Sequence, residues 1–131
     1  MGYESYWVDE PWIYRVDYTG YLTLEVFDQA MVECLEIVNA HPTNFLCDFS
    51  QVEFYDGKAI RSQYIRKFLQ HPNTKWFALV GMQGALMKFA IAVLGRFVAF
   101  KQFDDTTSAL AFLKTMTEHQ KLESVQLQES P

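Results

Sequence analysis

The residues best suited to chemistry lie between Asn44 and Ala59, in the run NFLCDFSQVEFYDGKA. Phe45, Leu46, Cys47 and Phe49 suit a strand covered on both faces, and Asp56 before Gly57 supplies a helix N-cap and a tight backbone approach. Such strand-to-helix exits are where α/β proteins set their sites. This exit has no Ser, Thr or Cys nucleophile at the helix start and no phosphate-cradling glycine pattern. Ser50, Glu53, Tyr55, Asp56, Gly57, Lys58 and Arg61 therefore read as candidates for holding a partner, not for making or breaking bonds.

The other reactive side chains read as structural. Cys34 and Cys47 both sit in apolar runs, so two reduced, buried thiols are expected in place of a disulfide, which points to the cytoplasm. His41 and His71 each precede a proline that excludes helical geometry, so both fall at helix C-termini, where an imidazole serves as a cap. His119 lies in a polar stretch. The carboxylate pairs Asp9 with Glu10 and Asp104 with Asp105 fall at a turn and at a helix start. There is no G-x-S-x-G, H-E-x-x-H, C-x-x-C, P-loop or dinucleotide fingerprint. No enzymatic activity, cofactor or metal is expected; an active site dispersed through the sequence is the third-ranked alternative.

Stepping from these groups to what must position them, 131 residues suit one domain with a single core. Half the residues are hydrophobic and the net charge is −5, which argues against a nucleic-acid binder. The N-terminal MGYESYWVDEP lacks a basic start and an apolar core, so it is not read as a secretory signal, and Tyr6 stands where an N-myristoylation pattern wants a hydroxyl amino acid of the Ser/Thr type.

Residues 3–9 and 12–18 are β-rich runs around Glu10 and Pro11, predicted to pair antiparallel. In the second, Trp12, Tyr14, Val16 and Tyr18 alternate with Ile13, Arg15 and Asp17, suggesting one covered and one mostly wet face. Thr23 caps a helix with Glu25 in its first turn; Phe27, Ala30, Met31, Cys34, Leu35 and Val38 form its apolar side, and Asp28, Gln29, Glu33 and Glu36 its polar side. NAHPTNFLCDFS and LQHPNTKWFALVG form a weak repeat in which a helix ends at His-Pro and leads into a strand, the pattern of successive parallel units.

A second helix over 57–70 has Ile60, Tyr64, Ile65, Phe68 and Leu69 on its apolar side. Its charges, Lys58, Arg61, Arg66 and Lys67, read as a solvated face ahead of a landing surface for an acidic partner or phosphate. A strand at 76–80 and a loop at 81–84 lead to a third helix, from about Ala85 to Leu94, that is apolar around nearly its whole circumference. Met82, Leu86, Phe89, Ile91 and Val93 are its candidates for an apolar surface or ligand contact, unless Ala85, Ala90 and Ala92 occupy the outer side. At about ten residues it is too short to span a bilayer. A strand at 97–100 and a helix capped by Asp104 or Asp105, with Ala109, Phe112, Leu113 and Met116 inward, complete residues 1–117 as the domain. Residues 118–131 are expected to be a polar, flexible tail.

This order, strand, strand, helix, strand, helix, strand, helix, strand, helix, carries a resemblance. The segments YTGYLTLEVFDQA, LCDFSQVEFYDGKA and FDDTTSALAFLK resemble the STAS superfamily, the fold of sulphate transporters and anti-sigma-factor antagonists, and among them the small SpoIIAA-like proteins, which share general architecture with lipid-binding Sec14-type domains. The resemblance covers Tyr3 to about Met116. It implies an α/β fold with a mixed, mostly parallel five-stranded sheet and about four helices. The phosphoswitch of true antagonists resembles D-S-S-G after a D-[LF]-S-x-V-x-F strand exit. Here Asp48 to Phe54 and Asp56 match, but Gly57, Lys58 and Ala59 replace the serines and glycine, so kinase regulation does not carry over, and Ser62 is no substitute. The leading expectation is a non-catalytic binding or regulatory module that contacts a protein partner or itself as a homodimer. The alternative is a small carrier of a lipid-like ligand.

Overall fold

The computed structural model describes residues 2–129, apart from the side chains of residues 60, 85, 86, 89–91 and 126–129. Strands β1 (Tyr3–Asp9) and β2 (Ile13–Leu22) pair antiparallel around a turn with a cis Glu10–Pro11 peptide. Thr23 then caps α1 (Leu24–Ala40), its hydroxyl accepting the Val26 N–H at 3.1 Å. Strands β3 (Thr43–Tyr55), β4 (Thr74–Val80) and β5 (Phe100–Phe103) join β2 in parallel, giving one five-stranded sheet in the order β1-β2-β3-β4-β5. The predicted mixed, mostly parallel α/β architecture is the observed one.

Each parallel crossover advances the sheet by one strand in the same direction, so a constant handedness sends every connecting helix to one face. On that face α1 and α2 (Ile65–Gln70) pack with Met82 and Leu94 onto Tyr14, Val16, Tyr18, Phe45, Cys47 and Phe77. Helix α5 (Thr106–Glu129) follows the last strand and covers the other face, where Ala109 and Leu113 bury Ile13, Leu46, Ala78 and Val80. The apolar run of β3 is thus split between two cores, as its lack of alternation predicts. The expected wet face of β2 is only partly so: Ile13 is fully buried beneath α5, while Arg15 and Asp17 further along are half-buried.

The helices differ from expectation at their ends. The basic segment 57–70 is broken into a 3-10 turn (Gly57–Arg61) and α2, because Ser62 leaves helical geometry with ψ 128°. Its hydroxyl donates to Asp28 of α1 and accepts the Tyr64 N–H at 3.2 Å, a local competition of the kind that interrupts helices. The third helix is composite: α3 (Gly84–Phe89), a π-helical turn (Ala90–Leu94) and α4 (Gly95–Phe97). The Val98 N–H still bonds the Leu94 carbonyl at 2.9 Å, so β5 begins three residues later than predicted.

Helix α5, capped where Asp105 accepts the Ser108 N–H at 2.7 Å, continues past the expected end at 117. The reason is tertiary. The Asn44 amide, fully buried on β3, donates to Thr117 Oγ1 at 3.1 Å and to Gln120 Oε1 at 2.8 Å, and Gln120 Nε2 returns a bond to Asn44 Oδ1 at 3.0 Å. Both proline-adjacent histidines do stand at helix C-caps, and the Asn73 N–H bonds His71 Nδ1 at 3.1 Å.

Candidate functional site

The strand exit is built where β3 outgrows its neighbour. Pairing with β4 ends at Asp48 opposite Val80, whereas pairing with β2 continues to Tyr55 opposite Leu22. Asp48 accepts the Ser50 N–H at 2.9 Å and lies 3.7 Å from the Arg15 guanidinium, which also bonds Asp17 at 2.7 Å. The chain after β4 turns sharply at Gly81, φ +72°, where an added Cβ would stand 2.6 Å from the Ser50 backbone. The tight approach expected at Gly57 is therefore at Gly81; a Cβ on Gly57 would meet nothing within 4 Å. Asp56 does cap, accepting the Lys58 N–H at 2.9 Å, and its own N–H anchors to the Leu22 carbonyl at 2.8 Å.

Of the predicted partner-binding residues, Ser50, Glu53, Gly57, Lys58 and Arg61 are exposed, and Asp56 is half-buried. Tyr55 turns inward and packs on the core. Two aromatics outside that set dominate the surface. Tyr21 on β2 and Phe54 on β3 are cross-strand neighbours with ring centroids 6.3 Å apart, yet 56% and 68% exposed. A stacked aromatic pair that gains so little burial is out of keeping with a core of this size. The signal lies beyond the apolar run of β3, where Val52 and Phe54 alternate with Gln51 and Glu53, but it is absorbed by the motif to which Phe54 belongs.

The candidates of the third helix separate. Met82 is buried and helps close an apolar cavity of about 60 Å³ between the sheet and its helices, with Tyr18, Phe49, Leu69 and Leu94 among its walls. Val93 is half-buried and lines a different cleft, with Arg61, Arg66 and Arg96. The side chains of Leu86, Phe89 and Ile91 lie outside the described residues.

Glu33, expected on the solvent side of α1, instead faces β1 and β2. Tyr3 donates to it at 3.0 Å, and Ser5 and Tyr14 donate to its other oxygen. Burial pushes its carboxyl up, but the three hydroxyls outweigh it and hold the group below its ordinary 4.5. In return, burial and then the bond to Glu33 push the Tyr3 hydroxyl up to about 12. Cys34 and Cys47 are free and buried; burial, with Asp17 and Asp48 nearby, pushes Cys47 up to about 12. Among the described residues, no group of three or more His, Cys, Asp or Glu is placed to hold a metal ion, and no helix is long and apolar enough to cross a membrane.

A five-stranded sheet with one antiparallel edge, three crossovers on one face and a final helix on the other matches solved structures. An uncharacterised DUF3478-family protein with a SpoIIAA-like fold from Shewanella loihica is 24% identical, with 85% of this chain and 91% of that one covered and a TM-score of 0.58. The phosphorylated Bacillus cell-fate determinant SpoIIAA is 12% identical, covering 85% and 98%, with a TM-score of 0.62. The fold is SpoIIAA-like. Unphosphorylated SpoIIAA, an anti-sigma factor antagonist, also matches, at 11% identity over 86% of this chain and 96% of that one, TM-score 0.62. No family model matches the chain, and no curated protein does. The expected likeness to Sec14-type domains gains no support from these matches. On this SpoIIAA-like frame, Ser62, a turn beyond the strand exit, is buried and engaged by Asp28.

Proposed function

We propose that the protein is a non-catalytic, STAS-type binding module of the cytoplasm that docks a protein partner, a second copy of itself included, on the surface formed by Tyr21, Phe54 and the Asp56–Arg61 turn. The observation that carries this reading is the exposed Tyr21–Phe54 stack on the part of β3 that β4 leaves uncovered. Aromatic anchors beside a free strand edge supply the two ingredients of a docking surface, apolar area and backbone hydrogen bonds. Glu53 and Lys58 add a charged rim. The SpoIIAA-like fold supports the same reading, since the matched SpoIIAA is an anti-sigma factor antagonist. Two buried thiols suit a reducing compartment.

The carrier reading stands second. Its support is the apolar cavity, but about 60 Å³ is well short of the ~150 Å³ that admits even a benzene ring. A lipid chain would need the helices to part.

Native mass spectrometry and matched affinity capture with wild-type and Phe54→Glu protein test the proposal. Association, with itself or with a captured protein, is expected for the wild type and lost in the variant. Equal behaviour of the two proteins would remove the surface from consideration, and an apolar molecule retained by a monomer would favour the carrier.

A further inference from the structure

The chain has four arginines, Arg15, Arg61, Arg66 and Arg96. Arg15 is ion-paired with Asp17 and Asp48. The other three line one cleft of about 270 Å³, brought there from the 3-10 turn, the first turn of α2 and α4. All three are exposed, and among the described residues none has a carboxylate within ion-pair distance, although the protein carries 16 acidic residues and a net charge of −5. Surplus acid was available to neutralise them, yet even Asp28, which bonds Ser62 on the cleft wall, forms no ion pair with any of the three. The other polar residue of the wall is Ser62, whose hydroxyl is already given to Asp28. Gathering three like charges costs folding free energy that a bound anion returns.

We infer that this cleft binds a phosphate monoester carrying an apolar body. Planar guanidinium forks match phosphate oxygens bidentately, and three of them suit a dianion better than a singly charged carboxylate. The remaining walls are Ile65, Ala92, Val93 and Phe97, an apolar shelf against which the ester group packs. Ile65 also lines the neighbouring apolar cavity, so the body of the ligand lies against the face of the protein interior. The inference does not depend on the Tyr21–Phe54 surface. It shares only Arg61 with the proposed docking region, and its readout is a small molecule.

Calorimetric titration with phenyl phosphate and with inorganic phosphate tests it, together with sedimentation on phosphatidylcholine vesicles with and without phosphatidate. Phenyl phosphate is expected to bind at least about tenfold more tightly than inorganic phosphate, and Arg61→Gln, Arg66→Gln and Arg96→Gln each to weaken it at least about fivefold. Lys114→Gln, exposed on α5, should leave binding unchanged. Arginine-dependent sedimentation with phosphatidate vesicles assigns the phosphate to a lipid headgroup; phenyl phosphate binding without sedimentation assigns it to a soluble ligand. No saturable binding in either arm, or binding that the three arginine variants leave intact while keeping the wild-type melting temperature, overturns the inference.

Discussion

Tyr14 of β2 donates its hydroxyl to Glu33 of α1, and this bond closes a cage in which one half-buried carboxylate holds α1 against both strands of the antiparallel pair. The charge sits on a helix whose opposite wall is apolar, so it is retained only because three hydroxyls satisfy it. Glu33→Ala leaves those hydroxyls without their acceptor and is expected to cost about 2 kcal/mol in urea denaturation at pH 7.

The same cage sets a pH dependence. The folded-state value of Glu33 is depressed, so its stabilisation is fully present above the ordinary 4.5 and is lost as pH falls through the lower folded value. The stability gap between wild type and Glu33→Gln should therefore narrow below pH 4.5. Tyr3, raised to about 12, acts oppositely: its contribution is complete below its ordinary value of 10.0 and disappears as pH rises through about 12. Denaturation curves from pH 3 to 11 check the acidic limb and the onset of the alkaline one; a gap constant across the acid range would exclude Glu33 as the titrating group.

Asn44 holds the irregular start of the β3–β4 ladder. Its Oδ1 accepts the Trp76 N–H at 3.1 Å, at the point where the register between Thr43 and Phe45 shifts. Asn44→Ala strands that N–H and the Gln120 amide in a half-buried site, at an expected cost of about 2 kcal/mol. Hydrogen exchange should show α5 around Thr117 and Gln120 losing protection first.

Gly81 and Gly57 should respond in opposite ways to the same substitution. Gly81→Ala puts a methyl group against the Ser50 backbone at positive φ, so a loss of at least about 2 kcal/mol is expected. Gly57→Ala meets open space and should shift stability by no more than about 0.5 kcal/mol. Thermal melts of the two variants decide between the structural and the sequence-based placement of the tight approach.

Cys34 and Cys47 should be inert to thiol reagents at pH 8 in the folded protein and react fully on denaturation. Both are buried, and burial raises both thiols. Fast labelling of the native state would contradict the packing of α1 on β3.

What the sequence alone determined is the architecture. The unalternating run Phe45–Phe49, the Thr23 and Asp56 caps and the two His-Pro stops are local signals, and each reports on its own backbone within a turn or a strand. They specify where α1 begins and ends, the parallel sheet and the burial of both thiols. What only the tertiary structure decided lies between segments. Glu33 followed the polar side of α1 by periodicity, yet faces the sheet because Tyr3, Ser5 and Tyr14 converge there. Gln120 looked like tail because its one structural partner, Asn44, is 76 residues away. The arginine cleft was invisible for the same reason, since Arg61 and Arg66 read as one solvated helix face until the fold set Arg96 beside them. Periodicity records which side of an element is covered, whereas the identity of the covering group is set by long-range packing.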